Sequence, residues 1–293
     1  AMLAAQLAGV KIRIHTIAGL RFMTATGLKN RILVFMEKLT ARAAHHVWPN
    51  SYSLQEYIRK HKLVKPAKLQ VMGKGSSNGV DLTRYSPEVL KPELLEETKK
   101  LVSYDPRFRY ILNMGRIVKD KGVEEVLQVF DRLSKEDPQL RLIVLGAFED
   151  DLDPISAAAR NILETNPAII HIDWSDRVEY FMHLAELLLH ASYREGFPNT
   201  LLQSGAMGCP IVCTNIEGSV DIVTHGETGL IFQPGQAADL EEKLRYALNH
   251  KDEMKQYSLN LRKKVADHFS QQYLHECIRQ QYLLLLNKKQ GIK

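Results

Sequence analysis

The sequence predicts an α/β protein with parallel sheets. Short apolar runs of strand length alternate with amphipathic stretches of helix length, and glycine or polar turns follow the strand-like runs. A length of 293 residues accommodates two domains of ordinary size.

Residues 2–9 read as an apolar helix. The alternation Lys11-Ile12-Arg13-Ile14-His15-Thr16-Ile17 predicts a strand ending in the loop Ala18-Gly19-Leu20. A long amphipathic helix follows, because Leu28, Ile32, Phe35, Met36, Leu39 and Ala43 recur at helical spacing while Lys29, Arg31, Lys38 and Arg42 stay polar. Residues 47–50 read as a short strand, Ser51 as the cap of a helix running to about His61, and residues 69–72 as another strand. The loop 73–81 closes this segment, and residues 82–100, with Pro87 and Pro92, form a polar connector.

Beyond the connector the alternation is regular. Strands are expected at 110–113, 140–145, 169–172, 187–190, 210–213 and 229–232. Helices are expected at 123–133, 155–163, from Asn199, and at 237–249, 251–268 and 271–286, with a turn at Asp221. Such a doubly wound sheet opens its ligand crevice at the carboxyl ends of the strands, which puts Gly115, Gly146, Asp173 and Glu195 on one rim. The organisation read from the chain is a first domain at 1–85, a linker at 86–105, a second domain at 106–270 and a closing helix within 271–293.

Charge is uneven along the chain. Residues 1–85 carry 14 Lys and Arg against 3 Asp and Glu, a net charge of +11, and the remainder carries a net of −6. The first segment is therefore expected to meet something anionic, with membrane phospholipid and lipid-linked diphosphate acceptors as candidates. Nucleic acid is not expected, because no recognition motif or interleaving of aromatic and basic residues supports it. No apolar run is long enough to span a bilayer and no leader pattern is seen, so a cytoplasmic protein at the inner face of the membrane is expected. The odd set Cys209, Cys213 and Cys277 lacks metal-ligand spacing and fits reduced thiols, the first two as small buried hydrophobes.

The chemistry concentrates in residues 192–232. Gly196 and Pro198 make Glu195-Gly196-Phe197-Pro198-Asn199 a loop, and Pro198 opens a helix through Thr200 and Leu201. The free amides of a helix N-terminus suit phosphate, and Glu195 and Gln203 flank that turn as groups for hydroxyls. Phosphate plus hydroxyls points to a nucleotide sugar. After the first strand of the second domain comes Gly115-Arg116-Ile117-Val118-Lys119-Asp120-Lys121-Gly122. There Arg116 and Lys121 straddle a loop leading into a helix, a place where cations clamp a diphosphate. Lys119 is expected to matter less.

Glu195, the Gly-Phe-Pro-Asn turn and the run Ala206-Met207-Gly208-Cys209-Pro210-Ile211-Val212 resemble the donor-site signature of retaining family 4 (group 1) glycosyltransferases with the GT-B fold. The resemblance implies two Rossmann-like domains, and it assigns Glu195 to the donor sugar. Where the family has a second Glu for the ribose hydroxyls, this chain has Gln203, which still bonds a diol through neutral and weaker hydrogen bonds. Arg116 and Lys121 match the family's Gly-Arg-x4-Lys-Gly pattern, which neutralises the leaving nucleoside diphosphate. The implied site thus comprises Glu195, Arg116 and Lys121 as catalytic groups. Gly115, Gly196, Phe197, Pro198, Asn199, Thr200, Leu201, Gln203 and Asp173 stand around the donor. Asp173 and His171 lie near the expected base pocket, with Trp174 beside them as a packed residue.

The resemblance carries further expectations. The turn Asn78-Gly79-Val80-Asp81 matches one close to the passage between domains, and the last helix crosses back to the first domain with Tyr273, Leu274, Ile278, Tyr282 and Leu285 as its apolar stripe. The His-Thr-x-His-Gly segment of many relatives is matched by His15-Thr16-Ile17-Ala18-Gly19, so Ala18 replaces the second His, and His15 and Gly19 are left as acceptor-side candidates. His15 reads equally as a packed strand residue. Nothing corresponds to the family's opening strand and glycine-rich loop, so the first domain is expected to be truncated at its front. Transfer of a sugar from a UDP- or GDP-sugar to a glycan or lipid-linked acceptor is implied, with retention, no metal and no cofactor. The alternatives are an inactive nucleotide-sugar-binding fragment and a GT-B nucleotide-sugar epimerase or phosphorylase.

Overall fold

The computed structural model describes residues 1–290 except Thr24 and Leu152; residues 291–293, the end of the expected closing segment, lie outside the described residues. The chain opens with helix α1 (Met2–Leu7), strand β1 (Ile14–Ile17), helix α2 (Gly27–Ala43), strand β2 (His46–Pro49) and helix α3 (Tyr52–Lys60). β1 and β2 pair in parallel, Ile14 opposite His46 and Ile17 opposite Pro49, with α2 as the crossover. The Ser51 hydroxyl caps α3 by accepting a hydrogen bond from the Leu54 amide at 3.1 Å. Lys68 Nζ closes α2 by donating to the carbonyls of Ala41 and Arg42, each at 3.1 Å, and of Ala44 at 2.5 Å.

Three expectations in this segment change. The strand expected at 11–17 shortens to β1, whose partner β2 is four residues long. The strand expected at 69–72 reduces to one bridge between Val47 and Leu69, because the chain turns at Met72, whose carbonyl accepts from the Gly75 amide at 2.9 Å. Most of the apolar stripe of α2 points outward: Leu28, Ile32, Phe35 and Met36 are exposed and Leu39 is half-buried, while Ala43 is buried as expected and Leu33 and Val34 pack on the core with Ala41.

The stretch read as a polar connector contains helix α4 (Pro92–Leu101). Its end chemistry was visible, with Pro92 at the first position, Glu93 in the first turn and Lys99 and Lys100 in the last. Then follow β3 (Arg109–Met114), α5 (Val123–Glu136), β4 (Leu140–Leu145), α6 (Ala157–Thr165), β5 (Ile169–Ile172), α7 (Val178–Leu184), β6 (Leu187–His190), α8 (Asn199–Met207), β7 (Ile211–Thr214), α9 (Ser219–Ile222) and β8 (Leu230–Phe232). α7 was not anticipated; the apolar Val178, Tyr180, Phe181 and Met182 and the acidic Glu179 in its first turn were its signal. The six strands form one parallel sheet in the order β5-β4-β3-β6-β7-β8. The winding direction reverses between β3 and β6, which locates the crevice at their carboxyl ends.

Alternation along the strands sorts the core into two layers. Ile111, Leu142, Val144, Leu187 and Leu189 meet Val126 and Phe130 of α5 on one face. Leu112, Ile143, Leu145 and Leu188 meet Leu201 and Leu202 of α8 on the other. Burial on both faces is the reason these strands read as continuous apolar runs.

Helices α10 (Ala237–Asn249), α11 (Lys251–His268) and α12 (Gln271–Gln290) close the chain. α12 lies against the first segment, where Leu274 and Leu285 are buried with Trp48 and Met72. Tyr282 sits 5.4 Å from Trp48 between ring centroids yet is 47% exposed, so the expected apolar stripe is only partly covered. The turn at 78–81 joins the start of α12, with the Val80 amide donating to the Phe269 carbonyl and the Gln271 amide to the Val80 carbonyl, both at 2.9 Å. Gly79 is required there: its φ is +66° and a Cβ would stand 2.7 Å from the Phe269 carbonyl oxygen. No helix among the described residues is long and apolar enough to cross a membrane.

Candidate functional site

Parallel register brings the strand ends together at the rim. The Gly115 amide donates to the Leu145 carbonyl at 3.0 Å and the Gly146 amide to the Ile172 carbonyl at 2.8 Å, so the turns after β3, β4 and β5 are adjacent. The loop after β6 carries Glu195 onto the loop after β3. Glu195 Oε1 receives Lys121 Nζ at 2.5 Å and the Ser192 hydroxyl at 2.9 Å, with the buried His190 Nε2 3.5 Å away. Burial by itself would raise the Glu195 carboxyl pKa, but His190 and Lys121 outweigh it and bring it down to about 2. Glu195 is therefore a carboxylate throughout the neutral range, an acceptor for hydroxyls.

A second ion pair fixes the same two loops. Arg194 Nη2 meets Asp120 Oδ2 at 2.6 Å, and the Tyr193 amide donates to the Asp120 carbonyl at 2.9 Å. Sequence reasoning missed Asp120, Arg194, Ser192 and His190 as supports, although all flank the residues it selected.

Arg116 is not in this cluster. Its guanidinium pairs with Glu149 at 2.7 Å, and both side chains are more than a third exposed. An ion pair so open to water contributes about 0–1 kcal/mol. Lys121 holds Glu195 with one ammonium hydrogen and retains two further donors.

At the start of α8, Gly196, Phe197 and Pro198 are buried, Asn199 is exposed and Thr200 is half-buried, while Leu201 belongs to the core. The Asn199 and Thr200 amides lie in the first turn, where no helical carbonyl is available to them. Gln203, expected toward ribose, turns its amide to Tyr85, donating to the phenol oxygen at 2.9 Å. Tyr85 follows the 78–81 turn and is itself buried against the α8 layer, a contact invisible in linear sequence.

The first segment touches the donor loop directly. A Cβ on Gly196 would fall 1.4 Å from the Ala18 carbonyl oxygen, and one on Gly19 3.5 Å from the Gly196 amide nitrogen. Gly19 is thus beside the loop, and the His15 ring is turned to α2, its Nε2 2.8 Å from Glu37 Oε1. Phe197 packs on Phe269, 5.4 Å between centroids. Below it Asp221, read only as a turn residue, accepts hydrogen bonds from the Tyr52 and Ser53 amides at 2.8 and 3.2 Å and from the Ser53 hydroxyl.

On the far side of the rim, His171 Nε2 lies 2.9 Å from the Gly146 carbonyl oxygen and 3.5 Å from Asp173, whose side chain is 80% exposed. Trp174 is 75% exposed, which corrects its reading as a packed residue; the neighbouring rim loops leave its ring open to solvent. The sequence also contains an Asp-x-Asp triplet that motif reading passed over, Asp151-Leu152-Asp153. Asp153 is used to shape the Lys121 loop, accepting from the Asp120 amide at 3.1 Å with its carboxylate and from the Lys119 amide at 3.0 Å with its carbonyl. Cys209 and Cys213 are buried, and burial pushes both thiols up, Cys209 to about 12.

The family model for "Glycosyl transferases group 1" matches residues 95–264. The chain is 32% identical over 281 residues to the capsular polysaccharide biosynthesis glycosyltransferase CapM of Staphylococcus aureus, covering 96% of this chain and 72% of that protein. It is 27% identical over 292 residues to the N,N'-diacetylbacillosaminyl-diphospho-undecaprenol alpha-1,3-N-acetylgalactosaminyltransferase of Campylobacter jejuni, covering 98% and 73%. Among solved structures, Anabaena Alr3699/HepE in complex with UDP and glucose superposes with a TM-score of 0.81 at 16% identity, over 96% of this chain and 74% of that one. That likeness supports the GT-B fold.

Proposed function

Because the chain belongs to the group 1 glycosyltransferases and shares their GT-B fold, we propose that it moves a sugar from a nucleoside diphosphate donor to a lipid-linked or growing glycan acceptor, with retention and with neither metal nor cofactor. The observation that carries this reading is the contact between Lys121 and the Glu195 carboxylate at the mouth of the crevice. On this reading Lys121 is the cation for the departing phosphate and the neighbouring Glu195 the carboxylate for sugar hydroxyls.

Breaking the bond between the anomeric carbon and the diphosphate oxygen leaves positive charge on the sugar and negative charge on the phosphate. Preorganised donors aimed at that phosphate lower the barrier most. Lys121, Arg116 released from Glu149, and the first amides of α8 supply them. The acceptor hydroxyl attacks from the face the diphosphate leaves; its oxygen forms the new bond and its proton passes to the departing phosphate. Retention follows from that same-face geometry, and family 4 membership is part of the proposal. The names of the two relatives, one acting on an undecaprenol-linked sugar and one in capsule formation, support a lipid-linked acceptor in polysaccharide assembly.

A thermal-shift screen with UDP-, GDP- and dTDP-sugars identifies the donor. Turnover of the stabilising donor, read as nucleoside diphosphate release, then tests the reaction, and the proton spectrum of the product reads the anomeric configuration. An α-linked product from an α-linked donor, with turnover unchanged by chelator, is expected. Stabilisation by a donor without turnover on any polyprenyl-diphosphate sugar would reject transfer for this chain.

A further inference from the structure

The cluster around Glu195 contains a buried ionisable group that the transfer reaction leaves unused. His190 ends β6 and is 5% exposed; its Nε2 is closed off from solvent and has no hydrogen-bond partner among the described residues. That nitrogen lies 3.5 Å from Glu195 Oε1, too far for a good hydrogen bond and near enough for charge to act. Lys121 Nζ and the Ser192 hydroxyl meet the same oxygen, at 2.5 and 2.9 Å. Glu195 Oε2 accepts nothing from the described residues, so it is the oxygen left for a ligand.

The elements packed around the imidazole add no further net charge. Cys213 of β7 stands opposite His190 in the register, and burial pushes its thiol up, so it stays neutral. β3 brings Asn113, whose amide donates to the Leu189 carbonyl at 2.9 Å. α8 covers this face of the sheet and has no titratable side chain. Asp120 and Arg194, on the two loops, neutralise each other at 2.6 Å. His190 therefore meets one carboxylate and one ammonium, whose charges cancel. A nucleoside diphosphate upsets that balance. Its phosphates draw on Lys121, and the buried Glu195 carboxylate is left with less than one cation. Imidazole is the side chain whose ordinary titration lies between about pH 5 and 8, so negative charge added a few ångströms away draws a proton onto it.

We propose that His190 takes up a proton from solvent as the donor diphosphate binds, and that the imidazolium then holds Glu195 Oε1 so that Oε2 stays aimed at the sugar hydroxyls. Both ring nitrogens carry hydrogen in that state, and Nε2 donates to the carboxylate. His190 is thus a positioning residue that acts through Glu195. The inference rests on the donor reading above, and its test separates the two. The full chain is titrated calorimetrically with UDP, GDP and dTDP at about pH 8 in Tris and in HEPES, whose different heats of ionisation count the protons exchanged. An uptake of about half a proton or more per nucleotide is expected, and affinity should fall about tenfold between about pH 7 and about pH 9, because scarcer protons oppose a binding step that consumes one. The last ionisation of a phosphate, near about pH 6, lies below this range and has the opposite sign.

His190→Gln keeps a hydrogen-bond donor but does not ionise, so it should bind without proton uptake and with an affinity that changes less than about twofold over the same range. The parent reads the same event without any substitution, as a shift of the His190 ring resonance to its imidazolium position when nucleotide is added, so a variant that folds poorly does not decide the matter. Nucleotide binding without proton uptake, or undiminished uptake in His190→Gln, overturns the proposal and leaves the donor reading intact. Failure of the parent to bind any of the three nucleotides would instead strike the donor reading and this inference with it.

Discussion

At the scale of single residues, the site depends on the state of Glu195. Its carboxyl pKa falls to about 2 in the fold, because His190 and Lys121 outweigh burial, against about 4.3 for an unfolded glutamate. A depressed carboxylate stabilises the fold fully above the unfolded value and loses that contribution as pH falls toward the folded one. Acid unfolding of the parent should therefore steepen between about pH 4 and 2, and Glu195→Gln should flatten that part of the curve by an amount of order 2 kcal/mol, read by urea unfolding at each pH. An undiminished slope in the variant would show that Glu195 is not the group responsible. For the phosphate clamp, Lys121→Ala should weaken nucleoside diphosphate binding by about 2 kcal/mol, and Arg116→Ala by a similar amount, in titration calorimetry. Lys119→Ala should leave affinity within about 0.5 kcal/mol, since its exposed side chain makes no ion pair among the described residues. A larger loss at Lys119 than at Lys121 would reverse the assignment. These three residues were separable in sequence because Gly115 and Gly122 mark the ends of the loop; the shift of Arg116 to Glu149 was not, because Glu149 arrives from the turn after β4.

At the scale of elements, α3 depends on a residue far from it in sequence. The Asp221 carboxylate accepts from the two amides at its start and from Ser53, while the Gly218 amide donates to the Ser53 hydroxyl at 2.9 Å. Asp221→Ala should destabilise the protein by about 1–2 kcal/mol in urea unfolding, and Asp221→Asn by less because it keeps an acceptor. A neutral Asp221→Ala would mean that Ser51 alone caps the helix. The strands β3, β4 and β6 were legible almost to the residue, because burial on both faces makes each a bounded apolar run, and the half-buried edge strand β5 was legible as a short apolar run too. α4 and α7 were not, since α4 is mostly polar and known by its end chemistry, and the apolar run of α7 is only seven residues long. Spacing made α2 legible as a helix but said nothing about which side faces inward. Both Val34 with Ala41 and Ile32 with Phe35 satisfy the helical period, and packing on β1 and β2 selects the face of the first pair.

At the scale of the whole molecule, α12 ties the closing end of the chain to the first segment through Leu274 and Leu285. Leu274 is fully buried, so Leu274→Ala should lower stability by about 2–5 kcal/mol. Because the six-stranded sheet keeps its own two cores, the first segment should then exchange amide hydrogens faster than β3 and β4 in native-state hydrogen exchange. Uniform acceleration throughout the chain would show that the two parts unfold as one. The sequence by itself determined the doubly wound sheet, the rim at its strand ends, and Arg116, Lys121 and Glu195 as the charged groups on that rim. Those features follow from local period, turn chemistry and the invariable direction of a parallel sheet. Only the tertiary structure decided that Lys121 closes on Glu195, that Gln203 turns to Tyr85, that Ala18 sits over Gly196, and that α2 presents an apolar strip outward. Each joins residues distant in the chain, and packing chooses among partners that local sequence leaves equally available.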